Sequence, residues 1–468
     1  MILEQYYLGC LSQASYLVGD EERGIAAIVD PRRDVDLYLA EAEKRGLAIR
    51  HVVLTHFHAD FVSGHVELRE RTGATIHLGA AGKAEYAFEP LADGDELRLG
   101  NVRLRTLATP GHTPEAISLL VFDDARDAER PHAVLTGDTL FIGDVGRPDL
   151  MSSVGVTAEE LGGMLYDSLR GKLMTLPDET LVYPGHGAGS MCGKNLSTDT
   201  VSTIGDQKRF NYALQDMGRE EFVALVAANQ PRAPRYFGFD AQLNRSERST
   251  LDAALKGLRA MSVEELRAAA ADGAVVVDVR DAEAFAAGHL AGAVNIGLEG
   301  RFASWAGTVL DADARLVIVA PEGFERETAL RLGRIGYDGV IGFLAGGPDA
   351  VPADQRASTP RFDAGALSRS LEAAGGPLLL DVRQPGERAN LAIEGSVHIP
   401  LGELEERAGE LPKDRAVAIH CASGYRSMVA ASLLARAGFG EVSDLAGGIE
   451  AWSAAELPTV SAEGAGCG

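Results

Sequence analysis

Two stretches of this chain spell the same pattern: VVVDVRDAEAFAAGHLAGAVNIGL at 275–298 and LLLDVRQPGERANLAIEGSVHIPL at 378–401. Asp278 answers Asp381, Arg280 answers Arg383 and Gly292 answers Gly395, a constant offset of 103 residues. Further on, GFLAGG (342–347) answers SDLAGG (443–448). Solenoid units repeat every 20–50 residues or so, so a period of about 100 marks two copies of one domain. Each copy alternates short apolar runs with helical stretches, the pattern of a small parallel α/β sheet. The repeat thus sets modules at 262–355 and 361–459. VPADQRASTP (351–360) reads as the linker between them, and residues 241–262 as a helical connection into the first.

Residues 1–240 follow another rule. Strand-length apolar runs end in Asp or His: IAAIVD (25–30), RHVVLTH (50–56), LRTLATPGH (104–112), AVLTGD (133–138) and TLVYPGH (180–186). Side chains at strand C-termini of an α/β domain converge on one edge of the sheet. THFHADF (55–61) contributes His56 and His58, TPGHT contributes His112, TGDTL contributes Asp138 and PGHG contributes His186. A His pair alone arises by chance on surface loops. Its recurrence with three further ligand-type side chains beside Gly predicts a metal site. His51, His65, His77 and His132 fit no ligand pattern as well; His65, in SGH, is nearest the motif and reads as structural.

The motif H-x-H-x-D followed by spaced His, Asp and His resembles the metallo-β-lactamase superfamily, and within it glyoxalase II and the persulfide dioxygenases. The resemblance implies an αββα sandwich with the metal at one edge. Binuclear members carry a His directly after the motif's Asp; this chain has Phe61 there. That departure removes a ligand of the second metal position and points to a single metal. Carried over residue by residue, the ligands of the iron-binding members are His56, His112 and Asp138, the two-His, one-carboxylate set of non-haem Fe(II) oxygenases. The resemblance therefore implies one Fe(II) per chain, with Zn(II) as the alternative. His58, Asp60 and His186 would orient the ligands or share protons. FIGDVGRPD (141–149) resembles the loop after the Asp ligand in persulfide dioxygenases. In it, Arg147 either holds an anionic substrate group or makes a structural ion pair. Cys192 and Lys194 of AGSMCGKNLS (188–197) border the substrate channel in this reading, with a buried inert thiol the simpler role for Cys192.

AVAIHCASGYRSMVAASLLARAGF (416–439) carries the second signal. An apolar strand ends at His420, a short turn follows, and a small-residue helix begins at once. A sulfur in such a turn faces several backbone N–H groups and the positive end of a helix dipole, which stabilise a thiolate. The loop Cys421-Ala422-Ser423-Gly424-Tyr425-Arg426-Ser427 resembles the active loop of the rhodanese family, C-x-x-G-x-R-S, over about 361–458. The resemblance makes Cys421 the nucleophile, Arg426 its accompanying cation, and the turn the cradle of a persulfide. In the first copy Ala320 stands where Cys421 does and Glu325 where Arg426 does. That module reads as a rhodanese-like domain without a nucleophile.

The fold class is therefore mixed α/β and α+β: a metallo-β-lactamase sandwich followed by two rhodanese-like domains. The whole chain is similar to persulfide dioxygenase–rhodanese fusions. That family oxidises a low-molecular-weight persulfide (of glutathione, coenzyme A or bacillithiol) with O₂ to sulfite and passes sulfane sulfur to or from thiosulfate. The alternative is a zinc thioester hydrolase of the glyoxalase II type with a fused sulfurtransferase. A net charge of −24 argues against nucleic acid and anionic membranes as partners. Four dispersed cysteines, an N-terminus without a basic, apolar leader, and no membrane-length apolar run predict a cytoplasmic protein. Related proteins imply a homo-oligomer.

Overall fold

The computed structural model describes residues 1–150, 155–228 and 230–461; Cys467 lies outside them. The chain divides into two compact units, Met1–Asp252 with Gly333–Gly336, and Ala253–Leu332 with Tyr337 onward.

Two six-stranded sheets form the first unit. One runs β1 (Ile2–Leu8), β2 (Gln13–Asp20), β3 (Ile25–Val29), β4 (Ala48–Val53), β5 (Thr75–Gly79), β6 (Glu89–Leu91) in order. The other runs in the order β12-β11-β10-β9-β8-β7, with β7 at Glu96–Leu99, β8 at Val102–Ala108, β9 at Ile117–Asp123, β10 at Ala133–Gly137, β11 at Leu181–Pro184 and β12 at Ser202–Thr203. Successive side chains of a strand point to opposite faces. Tyr16 and Val18 of β2 thus enter the core between the sheets with Leu104, Leu119 and Leu135. Leu17 turns outward with Ile28 and Val52 to meet Tyr38 and Leu68 of the helices Asp36–Lys44 and His65–Thr72. On the far side Leu120, Val134 and Val182 meet Leu165, Leu169 and Phe222 of the helices Ala158–Gly171 and Arg219–Ala227. Burial on both faces is why these strands read as near-continuous apolar runs. The layers are helix, sheet, sheet, helix, as the resemblance implied.

The second unit holds both copies of the repeat. In the first, β13 (Ala260–Met261), β14 (Val275–Asp278), β16 (Val294–Asn295), β17 (Leu316–Val319) and β18 (Val340–Leu344) form a parallel sheet, β13-β18-β17-β14-β16. In the second, β20 (Arg361–Phe362), β21 (Leu378–Asp381), β22 (Val397–His398), β23 (Val417–His420) and β24 (Val442–Leu445) repeat the order as β20-β24-β23-β21-β22. The segment read as a linker is more than that. Its β19 (Arg356–Ala357) pairs antiparallel with β15 (His289–Leu290) of the first copy. One apolar core, including Val276, Val317, Leu380, Ile419 and Leu434, runs through both copies.

Candidate metal centre and cysteine loop

Strand ends β3, β4 and β10, the loop after β8 and the turn after β11 deliver Asp30, His56, Asp138, His112 and His186 to one edge of the sandwich. His56, His58, Asp60, His112, Asp138 and His186 are all buried. The hydrogen-bond partners fix the tautomers. His112 Nδ1 faces the carbonyl of Arg147 at 2.9 Å, and His186 Nδ1 the carbonyl of Ser12 at 3.1 Å. A carbonyl only accepts, so both Nδ1 atoms carry the proton. Thr55 Oγ1 donates its one proton to Asp30 Oδ2 at 2.7 Å and so accepts from His56 Nδ1 at 3.0 Å. In the neutral imidazoles, three bare Nε2 lone pairs converge on Asp138 Oδ2, at 3.7 Å from His56, 3.5 Å from His112 and 3.6 Å from His186. Neither Asp138 oxygen has a hydrogen-bond donor. Four acceptors with no donor among them repel one another unless a cation stands between them, so the residues fit a bound metal.

His56, His112 and Asp138 group within 4.8 Å of one another. His186 comes to Asp138 from the side of Cys192, within the same limit, and stands 3.5 Å from Asp60. Burial, then the neighbouring imidazoles, holds His56 well below the usual histidine range, which keeps it neutral as a ligand must be. Gly185 lies so close to this cluster that a Cβ there would sit 2.5 Å from Asp138 Oδ1.

His58 turns its Nε2 to Asp30, 2.9 Å away, and its ring lies 4.3 Å from that of Phe61. Burial opposes protonation of His58, but Asp30 outweighs it and raises its proton affinity. Asp30 is a residue the sequence reading passed over. It is buried, sits in the left-handed region at φ +49°, and accepts the Thr55 amide at 2.8 Å. Its signal was the run IAAIVD, which ends like the ligand-bearing strands. Burial raises the proton affinity of Asp60. Burial also pushes the Cys192 thiol well up, with Asp60 and Asp138 adding to it.

Arg147 has its donors engaged, on Asp149 at 2.7 and 2.6 Å and on the carbonyls of Met191 and Pro231 at 3.2 and 2.7 Å. Arg147 thus makes an ion pair with Asp149 inside its own loop. Lys194 gives its ammonium to the carbonyls of Leu225 and Ala228, capping a helix end. The Cys192 carbonyl receives the Arg147 amide at 3.0 Å, so Cys192 borders the metal cluster through a loop that Arg147 fastens.

In the second unit Cys421 follows β23 and is buried. Gly424, at φ +96°, precedes the helix Tyr425–Arg436 and donates its amide to Cys421 Sγ at 3.1 Å. Ser427 Oγ is 3.6 Å from the same sulfur. Ala422 and Ser423 complete the turn. Arg426 is held by Glu387, both guanidinium nitrogens at 2.6 Å, and lies 5.6 Å from the ring centroid of Trp305 in the first copy. Tyr425 Oη donates to the carbonyl of Gly297, also in the first copy, at 2.7 Å. Glu387 and Gly297 lie within the repeated stretches and Trp305 outside them, and no loop motif pointed to any of the three.

The sequence profile of the metallo-beta-lactamase superfamily matches residues 8–186, and that of the rhodanese-like domain matches 262–353 and 363–455. Persulfide dioxygenase ETHE1 of Homo sapiens is 29% identical over 52% of this chain and 87% of its own length. A hydroxyacylglutathione hydrolase of Rhodospirillum rubrum is 32% identical over 49% of this chain and 80% of its own. A solved metallo-beta-lactamase of Staphylococcus aureus superposes with a TM-score of 0.66 at 31% identity, covering 73% of this chain and 98% of the other.

Proposed function

Because the chain belongs to the metallo-beta-lactamase superfamily and carries two rhodanese-like domains, as a persulfide dioxygenase–rhodanese fusion does, we propose that it oxidises a low-molecular-weight persulfide at one iron and moves sulfane sulfur at Cys421. The first reaction is R–S–SH + O₂ + H₂O giving R–SH + SO₃²⁻ + 2 H⁺. In the second, Cys421 takes the outer sulfur of a persulfide and passes it to sulfite as thiosulfate, or runs the transfer in reverse. Sulfite and thiosulfate link the two sites.

The observation that carries this reading is the set of bare acceptors around Asp138. His56, His112 and Asp138 would hold the ion, leaving positions open for small ligands. Iron(II) there would supply the redox chemistry by which O₂ reacts with sulfur. His58, braced by Asp30, sits under Phe61 where binuclear relatives place a further histidine. Asp60 and His186, 3.5 Å apart, are placed to take protons released as water is consumed. The persulfide carrier is glutathione, coenzyme A or bacillithiol. A reducing cytoplasm suits a chain whose Cys10, Cys192 and Cys421 are all free thiols.

Oxygen uptake with glutathione or coenzyme A persulfide on iron-loaded protein tests the proposal. Uptake is expected for the wild type and its loss for His56→Ala. No uptake, or an unchanged rate in His56→Ala, would sink it. A zinc thioester hydrolase is the second reading. It is favoured by the hydroxyacylglutathione hydrolase relatives and by the second buried trio, His58, Asp60 and His186. Metal content separates the two: about one iron per chain supports oxidation, and about two zincs the hydrolase.

A further inference from the structure

Cys421 heads a chain of hydrogen bonds that ends in a carboxylate. Its Sγ is 3.6 Å from Ser427 Oγ, and that oxygen is 3.2 Å from Asp444 Oδ2. Asp444 lies in β24 with its side chain fully buried. The charged group facing it is Arg361 of the neighbouring β20, which donates to Oδ1 at 2.8 Å and to Oδ2 at 3.1 Å. Its other neighbouring strand, β23, pairs Ile419 with it, and the helix Tyr425–Arg436 presents Ser427. Of the other ionisable groups near the loop, Arg426 is held by Glu387, while His420 Nε2 faces Asp381 at 3.7 Å.

The direction of this chain follows from its end. An ionised carboxylate only accepts, so the single proton of Ser427 points to Asp444. The hydroxyl oxygen is left to accept from the Cys421 thiol. Burial raises the affinity of Asp444 for a proton, outweighing Arg361.

The first copy of the repeat is a control within the same chain. Its strand pairing Ala260↔Phe343 is the counterpart of Arg361↔Asp444. Ala320 and Arg326 stand where Cys421 and Ser427 do. All four members are replaced together. The other strand-end carboxylate behaves differently: Asp278 keeps the arginine clamp that Asp381 makes, with Arg280 at 2.6 Å and Arg383 at 2.7 Å. A carboxylate needed only for the fold should have persisted at 343 as it did at 278.

We propose that Asp444 is a positioning residue for sulfur transfer, taking the Cys421 proton by way of Ser427. The proposal rests on Cys421 being the nucleophile. The Cys421 S–H bond breaks as Ser427 Oγ gains that proton and passes its own to Asp444 Oδ2. The sulfur electron pair then bonds the outer sulfur of thiosulfate, and sulfite leaves with the electrons of the S–S bond that breaks. Cys421 is left as Cys–S–S⁻, with Asp444 neutral. When an acceptor removes the outer sulfur, the proton returns by the same route.

The test is the rate of Cys421 alkylation by iodoacetamide against pH, read by mass spectrometry of the Cys421 peptide in the full chain. Sulfur transfer from thiosulfate to cyanide is measured beside it. Asp444→Asn should move the alkylation profile up by about one pH unit. It should also cut transfer at pH 7 by about tenfold, the change in thiolate that such a shift implies. The loss should fade at pH 9, with KM unchanged. Ser427→Ala, which removes no charge and carries the test if Asp444→Asn does not fold, should shift the profile equally. The double variant should be no worse than either single one. Profiles that superimpose on the wild type, or a loss that persists at pH 9, would overturn the proposal. If the wild-type Cys421 accepts no sulfur at all, the nucleophile assignment fails first and takes the proposal with it.

Discussion

The two rhodanese-like copies share a backbone and differ in what it holds. Gly323 and Gly424 take the same left-handed turn, at φ +90° and +96°. In each copy the final glycine pair presses on the loop. A Cβ on Gly347 would sit 2.9 Å from the Ala320 carbonyl, and one on Gly448 2.6 Å from the Cys421 carbonyl. The Asp-Val-Arg clamp is built twice with the same bonds. What changes is the cargo of the turn. Cys421, Arg426 and Ser427 become Ala320, Glu325 and Arg326, and the Glu325 carboxylate accepts its own loop's Gly323 amide at 2.9 Å. The first copy thus places an anion of its own at the turn where the second would bind one. Cradle geometry and cradle chemistry are separable, and the first copy keeps only the geometry.

The sharpest way to break this comparison is to exchange the proposed nucleophile. Cys421→Ser should abolish thiosulfate:cyanide transfer, by on the order of 10³-fold or more, because a hydroxyl is a far weaker nucleophile than a thiolate. Oxygen uptake at the metal domain should stay near wild type. Ala320→Cys should create no transfer, since Glu325 repels an anion and Phe343 supplies no proton acceptor. Transfer surviving in Cys421→Ser would put the sulfur on another thiol. Transfer appearing in Ala320→Cys would mean that a cysteine in the turn suffices.

A smaller difference is written in pH. The strand pairing Asp381↔His420 of the second copy corresponds to Asp278↔Val319 of the first. Burial, partly offset by Asp381, pulls His420 down to about 4 from 6.5. A histidine depressed in the folded state stabilises the fold above its unfolded value and loses that contribution as pH falls. The window runs from about 6.5 to about 4, and the loss reaches about 3 kcal/mol at its lower end. Both tryptophans, Trp305 and Trp452, lie in the second unit, so their fluorescence reports its denaturation. His420→Gln should flatten the decline in denaturation midpoint between pH 6.5 and 4. A decline of unchanged slope in that variant would assign the acid sensitivity elsewhere.

These contrasts also show what a linear sequence conveys. The repeat was legible because Asp-Val-Arg and the glycine turns are local and recur in step. Cys421 was legible because strand, turn and helix follow one another within a few residues. The residues of the candidate metal cluster were legible because His56 closes an apolar run with His58 two residues on, and His112, Asp138 and His186 each follow a glycine at the end of another. Asp444 was not, because its partner Arg361 lies 83 residues away and meets it only through strand register. Asp30 ends a strand in the same way, yet its part depends on Thr55 and His58, which only the sheet brings near. Arg147 was readable as either of two things because its partners, Asp149 apart, lie 44 and 84 residues away on the carbonyls of Met191 and Pro231. The strand Arg356–Ala357 was too short to leave a periodicity, so it read as linker.

The smallest expected effect concerns what the first copy still does. Tyr425 begins the helix behind Cys421, and its hydroxyl donates to Gly297 across the two copies. A Cβ on Gly297 would come within 3.2 Å of the Tyr425 ring. The carbonyl and the bare glycine thus form a seat for that ring. Tyr425→Phe keeps the ring and removes one hydrogen bond, so it should lower the stability of the second unit by about 1 kcal/mol. That corresponds to roughly fivefold in a folding equilibrium and should leave Cys421 reactive. Sulfur transfer should fall by no more than a few-fold. If transfer collapses while the tryptophan-detected denaturation midpoint is unchanged, the seat shapes the active loop itself. The first copy would then be part of the sulfur site rather than a support behind it.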